Sequence, residues 1–329
     1  MFLFNKLFGL SVSMKVNPMS SLSFVILIFS SMVSIFSGSW LGMWLGLEVN
    51  LLSFLVLMNL ESLVVIEPCV KYFIVQSFGS AMLLVSFLCS ESFLPDFLSF
   101  MLELGLMLKT GLAPFHSWLP SVVNSSSWFV GSLILTWQKL APFILIGWIF
   151  GEVMMLLSIG FLAVVGGVGG LNQHSTRAIL SYSSLVHSSW LLSALFSSFA
   201  LFIFCWFVYS VSVVLMFWCC SGRGMEFLKS KLKCYVSLCS LLILSGLPPF
   251  LGFAYKVMVF LSVNSVILFA CVLGSLISLK YYISFLFSLV FGSPYFELTA
   301  MSQSFYLCFV VIYLNFLGFV LLLLFLFCG

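Results

Sequence analysis

The sequence predicts an all-α polytopic membrane protein of about eleven transmembrane helices, and three observations lead to that prediction. Of the 329 residues, 63% are hydrophobic and only 6% are charged, against roughly 25% charged in a soluble domain. The mean hydropathy is +1.28. The apolar runs are continuous and long, as membrane-spanning helices of about 20 residues require, whereas a membrane β-barrel alternates in strands of about ten residues. So few charges exclude soluble enzymes, nucleic-acid binders and disordered chains.

Eleven apolar runs predict the helices in order, and the segments between them are too short for a soluble domain. The runs are 19–38, 40–60, 69–90, 97–119, 128–150, 153–172, 177–196, 199–219, 235–260, 263–283 and 304–327.

The charges between the runs predict the orientation of the chain. With eleven spans, the side of the N-terminus receives every even-numbered loop. That side holds Lys6, Lys15, Lys71, Arg177, Arg223, Lys229, Lys231 and Lys233, whereas the opposite loops hold Glu91, Asp96 and Glu152 and no Lys or Arg. Because basic residues are retained on the inner side of a membrane, we expect the N-terminus in the cytoplasm or the mitochondrial matrix and the C-terminus outside.

Some charged residues fall inside the apolar runs. Glu48, Glu103, Lys109, Lys139 and Lys256 lie within predicted spans, where a charge costs roughly 2.5–3.5 kcal/mol on insertion scales. A buried ion pair between Glu48 and one lysine would explain two of them as a tie between helices. The remaining lysines would still have no partner, so these residues indicate a function inside the membrane.

Prolines stand close to three of these lysines. Pro114 follows Lys109, Pro142 follows Lys139, and a Pro-Pro pair at 248–249 precedes Lys256. Each proline deprives the carbonyl four residues earlier of its helical hydrogen bond. Unpaired backbone at membrane depth is tolerated only against protein or water, and transporters build ion sites from such broken helices. The pattern therefore predicts broken helices beside the lysines.

A short motif repeats at these prolines. L-x-P-F occurs at 112–115, 140–143 and 247–250, and the first and third copies extend to G-L-x-P-F at Gly111 and Gly246. Five spans separate those two copies, so they cross the membrane in opposite directions, as an inverted repeat does. The predicted organisation is an N-terminal inside segment at 1–18, five-helix repeats at 19–150 and 151–283, and a loop with a final transmembrane helix at 284–329.

Lysines inside a membrane protein are suited to proton transfer, because desolvation favours the neutral form of an amine. We expect Lys139, at mid-span, to be the proton-carrying centre and Glu48 to pair electrostatically with Lys109. His187, within S-Y-S-S-L-V-H-S-S, is a candidate relay, and a neutral histidine bonded to a serine is the alternative. The three histidines occupy different segments and no C-x-x-C pair has a partner histidine cluster, so we expect no metal site.

Five stretches together resemble a known family. They are WLGMWLGLEVNLLSF at 40–54, LKTGLAPFHSWLP at 108–120, TWQKLAPF at 136–143, GGLNQHSTRAILSYSSLVHSSW at 169–190 and GLPPFLGFAYK at 246–256. The chain is similar to the chain 2 family of mitochondrial NADH–ubiquinone oxidoreductase, an antiporter-like, proton-pumping membrane subunit of respiratory complex I.

The resemblance implies roles for residues that match the family's motifs. Glu48 and Lys109 match its Glu–Lys pair, Lys139 its central lysine, and Lys256 the lysine on the exit side. Ser121 and Ala178 depart from the pattern, because the family usually has an acidic residue and a lysine at these positions.

The resemblance also implies location, cofactors and partners. We expect a multi-pass protein of the mitochondrial inner membrane with its N-terminus in the matrix, surrounded by lipid and by other membrane-arm subunits of complex I, including neighbouring antiporter-like chains. It would belong to an H⁺-translocating NADH:ubiquinone reductase without doing redox chemistry itself, binding neither cofactor nor nucleic acid. NADH, FMN, iron–sulfur clusters and ubiquinone would bind to partner subunits.

Two other functions remain open at this point. One is a subunit of an Mrp-type cation/proton antiporter, which ion-selective carboxylates beyond Glu48 would favour. The other is a structural membrane subunit that pumps nothing. Co-purification with redox subunits separates the first from complex I, and neutralising the lysines in an assembled complex tests the second.

Overall fold

A computed structural model describes residues 18–61, 66–88, 95–221, 231–248, 250–263 and 265–292. Within them the chain is helical, without strands. The helices are α1 (Pro18–Phe36), α2 (Trp40–Glu61), α3 (Glu67–Leu88), α4 (Pro95–Thr110), α5 (Trp118–Ser125), α6 (Trp128–Leu135), α7 (Trp137–Ile149), α8 (Glu152–Leu171), α9 (Thr176–Ser197), α10 (Phe199–Cys220), α11 (Lys231–Ser245), α12 (Leu251–Ser262) and α13 (Ser265–Gly292). The predicted span at 304–327, residues 1–17 and several of the loop charges lie outside the described residues.

The helices agree with ten of the predicted spans, which confirms the all-α membrane fold for the described part of the chain. Among the described residues, eight segments are long and apolar enough to cross a membrane. The predicted spans at 97–119 and 235–260 are instead divided into shorter helices, α4 with α5 and α11 with α12. These are two of the three places where prolines predict broken helices.

The first and third breaks have the same backbone conformation at the glycine of the shared motif. Gly111, directly after α4, has φ +70°, and Gly246, directly after α11, has φ +73°. A residue with a Cβ atom is strained there. Glycine therefore ends both helices, and the chain re-enters a helix at α5 and at α12.

The second break differs from the prediction, because it lies at Thr136 and not at Pro142. Pro142 is inside α7, which continues through it. The Thr136 hydroxyl donates to the carbonyl of Ser132 over 2.7 Å, and this bond from a threonine to the preceding turn bends helices. Lys139 consequently lies in the first turn of α7, next to the break.

Helix α9 is at the centre of the described fold. Sixteen of its 22 residues are buried, and it contacts α5, α6, α7, α8, α10, α12 and α13. Its buried face carries six serines and His187 in place of a purely apolar stripe. A helix that is polar yet enclosed by its neighbours at membrane depth provides a polar interior for the ionisable residues around it.

Candidate functional site

The five predicted site residues lie on five different helices. Glu48 is on α2, Lys109 on α4, Lys139 on α7, His187 on α9 and Lys256 on α12. Lys109, Lys139 and His187 are buried, and Glu48 and Lys256 are partly buried. The fold brings Lys139, His187 and Lys256 together around α9, and it brings Glu48 and Lys109 together between α2 and α4.

Lys139 is held by uncharged oxygen atoms. Its Nζ donates to Ser184 Oγ and Ser188 Oγ, both at 3.1 Å, and to the carbonyl of Ser184 at 3.5 Å. Its side chain is only 3% exposed. Among the residues that the structure describes, the one ion pair closer than 4.0 Å joins Lys71 and Glu67, on the exposed first turn of α3. Within the described part of the chain, the Lys139 ammonium therefore has three acceptors and no carboxylate within 4.0 Å.

The serines that hold Lys139 are oriented by their own helix. Ser184 Oγ donates to the carbonyl of Ser181, and Ser188 Oγ donates to the carbonyl of Ser184, each over 2.6 Å. A hydroxyl that donates to the preceding turn keeps its lone pairs available. Both serines therefore present acceptors to the lysine, as the spacing of four residues on one helix face allows.

His187 lies between two tyrosine hydroxyls. Its Nδ1 is 2.8 Å from the hydroxyl of Tyr255 on α12, and its Nε2 is 3.3 Å from that of Tyr282 on α13. The ring of Tyr209 packs against the imidazole with a centroid separation of 5.2 Å. The sequence predicted the histidine as a site residue but did not predict these tyrosines. The one feature that could have indicated them was a hydroxyl group within an apolar run.

The Tyr209 hydroxyl connects this group towards Lys139. It donates to the carbonyl of Leu135, next to the break in the second broken helix, over 3.1 Å. It also interacts with the side chain of Ser184, which accepts from Lys139. The charges of both Lys139 and Lys256 act on His187.

Lys256 is bound by the third helix break. Its Nζ donates to the carbonyl of Ser245, the last residue of α11, over 3.0 Å. The ammonium also lies 5.9 Å from the centroid of the Trp190 ring on α9. A Cβ atom at Gly246 would lie 2.5 Å from this Nζ. The lack of a Cβ atom at Gly246 therefore permits both its positive φ and the position of the Lys256 ammonium beside it.

Glu48 and Lys109 interact electrostatically but are not in ion-pair contact in the described structure. Glu48 Oε2 is buried and makes no hydrogen bond within the described residues. The backbone carbonyl of Lys109 accepts from Gln76 Nε2 on α3 over 3.0 Å. Their direct pairing stays a prediction, although their charges interact in the described structure.

A small polar cavity lies between Lys109 and the helix of Lys139. It is lined by Leu47, Asn50, Leu51, Tyr72, Gln76, Lys109, Gln138 and Pro142. Its space for the centre of a water molecule is about 10 Å³, roughly the minimum that one water needs.

Two amides span one wall of this cavity. Asn50 Nδ2 donates to Gln138 Oε1 over 3.0 Å, and Gln138 Nε2 donates to Asn50 Oδ1 over 3.4 Å. Because Gln138 directly precedes Lys139, this pair connects the surroundings of the two lysines. Neither amide was among the site residues predicted from the sequence.

Glu103 has a different surrounding from the other charges in the membrane. This carboxylate, 8% exposed, accepts from the backbone N–H of Gly151, the N-cap of α8, over 3.1 Å. An anion at a helix N-terminus is stabilised by the unpaired N–H groups and the helix dipole. Glu103 thus links α4 to the start of α8.

Metal ligands do not cluster in the described part of the chain. No group of three or more His, Cys, Asp or Glu residues there is suited to hold a metal ion. The chemistry that these residues offer is hydrogen bonding and proton transfer among lysine, histidine, serine and tyrosine.

Comparison with known proteins gives concordant matches. The family model described as NADH:quinone oxidoreductase/Mrp antiporter, transmembrane, matches residues 37–93 and 88–279. NADH-ubiquinone oxidoreductase chain 2 of Mytilus edulis is 44% identical over 276 residues, which cover 84% of this chain and 88% of that relative. The protein of the same name from Anopheles gambiae is 36% identical, covering 80% of this chain and 84% of the relative.

Solved structures share the fold at lower identity. A chain of respiratory complex I from Thermus thermophilus has a TM-score of 0.82 at 22% identity, covering 97% of this chain and 82% of that chain. A chain of the Mrp complex from Dietzia sp. has a TM-score of 0.71 at 16% identity, covering 86% of this chain and 61% of that one.

Proposed function

This chain belongs to the NADH–ubiquinone oxidoreductase chain 2 family, within the NADH:quinone oxidoreductase/Mrp antiporter membrane proteins, and from this premise we propose how it moves protons. It is a proton-translocating membrane subunit of respiratory complex I, in which electron transfer from NADH to ubiquinone is coupled to proton pumping. The proposed path runs through Lys139, His187 and Lys256, and Glu48 and Lys109 lie on its input side.

The surroundings of Lys139 support this path most strongly. An ammonium has three N–H donors and no acceptor, and three oxygen atoms of Ser184 and Ser188 receive them. A serine hydroxyl also donates, so the same two residues bind the lone pair of a neutral amine when they rotate. A carboxylate would stabilise the charged form alone. The site therefore accommodates both protonation states, which a proton carrier requires.

Transfer from Lys139 to Lys256 proceeds through His187. Both lysines act on the imidazole through their charge, and like charges repel strongly where the surroundings are weakly polarisable. A proton that reaches Lys139 therefore favours the loss of a proton further along the path. The carbonyl of Ser245 then receives the charged form of Lys256.

Glu48 and Lys109 control the input. The charges of Glu48 and Lys109 interact, so a change in the charge of Glu48 changes the affinity of Lys109 for its proton. The cavity beside Lys109 and Gln138 has room for about one water. A water there links the Lys109 region to the first turn of α7, where Lys139 lies.

We propose that the two five-helix repeats, 19–150 and 151–283, form two related halves of the transporter. Gly111 and Gly246, the glycines of the repeated G-L-x-P-F motif, have φ values of +70° and +73°. A helix break stands next to Lys109 in one repeat and close to Lys256 in the other. Equivalent breaks in opposite orientation give a transporter two related half-channels.

We also propose the assembly and location of the chain, which its family membership supports. The chain packs with other membrane-arm subunits of complex I, including neighbouring antiporter-like chains, and NADH, FMN, iron–sulfur clusters and ubiquinone bind to partner subunits. It lies in the mitochondrial inner membrane with its N-terminus in the matrix, which the one-sided distribution of Lys and Arg supports.

An Mrp-type cation/proton antiporter is the second candidate, because the Dietzia Mrp chain has the same fold with a TM-score of 0.71. Sequence identity favours complex I. The Mytilus edulis chain 2 protein is 44% identical to this chain, and the Dietzia Mrp chain is 16% identical.

A native gel of membranes that contain this chain distinguishes the two functions. We expect the chain to migrate in the band that oxidises NADH, and antibody removal of the chain to deplete that activity. Migration in a separate complex without NADH oxidation would overturn the assignment to complex I.

A further inference from the structure

Two tyrosine hydroxyls flank the imidazole of His187, one at each ring nitrogen. Tyr255 and Tyr282 come from different helices, and they approach the two opposite nitrogens of one ring at 2.8 Å and 3.3 Å. All three side chains are 2–3% exposed. Both nitrogens of a buried imidazole thus have a hydroxyl partner from this chain.

The two hydroxyls have different hydrogen-bonding roles, because the two nitrogens of a neutral imidazole differ. A neutral imidazole carries a proton on one nitrogen and a lone pair on the other. A tyrosine hydroxyl donates to the lone pair, and the N–H donates to the other tyrosine or to the backbone carbonyl of Leu244, which also interacts with the ring. The hydroxyl orientations therefore determine which nitrogen is protonated, as hydrogen-bond partners of histidine generally do.

We propose that Tyr255 and Tyr282 are positioning residues that fix the ring and the tautomer of His187, so that protons cross the imidazole from one nitrogen to the other. This inference rests on the proposed function of His187 as a relay. A proton released by Lys139 binds the nitrogen that carries the lone pair, as the tyrosine hydroxyl there turns its own proton away, and forms one N–H bond, which gives the imidazolium. The original N–H bond on the opposite nitrogen then breaks, and its proton passes to the neutral amine of Lys256. One proton enters, one leaves, and the ring is neutral again.

Each crossing leaves the ring in the other tautomer, and the two hydroxyls reverse it. Tyr255 and Tyr282 exchange donor and acceptor roles by rotating their O–H bonds, since a phenol does both. Tyr282 also interacts with the Ser183 side chain, which provides a second polar partner during that rotation. Tyr209 supports the ring face and binds the Leu135 carbonyl, so the imidazole itself stays in place.

Phenylalanine substitutions test this proposal, because Tyr255→Phe and Tyr282→Phe each remove one hydroxyl and keep the ring. The matched control is Tyr281→Phe. Tyr281 is next in the chain and 3% exposed, and its hydroxyl makes no hydrogen bond with His187. His187→Gln is the reference for loss of the relay.

The measurement is proton-coupled NADH–ubiquinone turnover in intact complex I, divided by the amount of assembled complex on a native gel. We expect each test variant to lower kcat about tenfold, less than the roughly 100-fold or more that general acid–base groups contribute. The KM for ubiquinone stays unchanged, because that substrate binds in other subunits. Tyr281→Phe keeps wild-type turnover.

Combining each phenylalanine variant with His187→Gln separates positioning from general support of the fold. If the tyrosines act through His187, they cause no further loss once the imidazole is absent. An equal loss in both backgrounds would overturn the proposal. So would wild-type coupling in both tyrosine variants when His187→Gln abolishes it. Wild-type coupling in His187→Gln would instead reject the relay function of the histidine.

Discussion

Lys256 Nζ donates a 3.0 Å hydrogen bond to the backbone carbonyl of Ser245, which stands four residues before Pro249 in the sequence. Proline at that position removes the N–H that would otherwise bind the Ser245 carbonyl in a continuous helix. The helix break therefore supplies an acceptor for a charge at membrane depth. Backbone that would be costly to leave unpaired in lipid becomes part of an ion site.

Replacing Gly246 tests the connection between this break and Lys256. Gly246→Ala introduces strain at φ +73° and a Cβ atom that would lie 2.5 Å from the Lys256 Nζ. A non-glycine residue there costs about 1–3 kcal/mol, so we predict less assembled complex and lower turnover per complex. Gly160→Ala is the control, because a Cβ there meets nothing within 4 Å. Equal results for the two variants would contradict the assigned role of Gly246.

The acceptors of Lys139 provide a second prediction. Ser184→Ala and Ser188→Ala each remove one hydroxyl that the ammonium binds at 3.1 Å. A hydrogen bond to a charged group contributes about 1.5–3 kcal/mol, so each variant should lower turnover roughly tenfold, and the double variant more. Ser189→Ala removes an equally buried serine bonded to the Val186 carbonyl and should retain activity. Wild-type proton uptake in the double variant would show that these hydroxyls do not serve the path.

Variants of Asn50 and Gln138 distinguish an effect on stability from an effect on transport. Asn50→Leu leaves the Gln138 amide without its partner, at a cost of about 1–3 kcal/mol. Adding Gln138→Leu removes both amides, so we predict that the amount of assembled complex recovers. Turnover should stay low in the double variant, because the cavity beside Lys109 loses its polar wall. Recovery of turnover together with assembly would show that the amides serve packing alone.

The orientation of the chain is testable by labelling. The segment 221–234 contains Arg223, Lys229, Lys231 and Lys233, and basic loops remain on the inner side. Single cysteines introduced there should react with a membrane-impermeant reagent only from the matrix side. Reaction from the opposite side would reject the predicted topology and the count of eleven spans.

Features that depend on local composition were predictable from the sequence. The limits of helices such as α2 and α10 follow from runs of apolar residues, since the length of a span is set by the thickness of the bilayer. Lys109, Lys139 and Lys256 stood out because a charge within such a run is costly. The G-L-x-P-F motif likewise predicted two of the three breaks.

Features that depend on contacts between distant helices were not predictable. Ser184 is 45 residues from Lys139 and Tyr282 is 95 residues from His187, and no local pattern indicates which faces of these helices meet. The break at Thr136 was assigned to Pro142, because proline is the stronger helix breaker in isolation. Local bonding of the threonine hydroxyl determines the actual position.

Turnover of Lys139→Arg complex I, measured as NADH–ubiquinone reduction with proton uptake, tests the central claim most directly. Arginine retains the positive charge and cannot release a proton at physiological pH. If Lys139 carries protons, Lys139→Arg and Lys139→Ala both lose coupled turnover, about 100-fold or more, while the complex assembles normally. Lys71→Arg, at an exposed lysine paired with Glu67, serves as the control and keeps full activity. Full activity in Lys139→Arg would contradict a proton-carrying role and reduce Lys139 to a fixed structural charge.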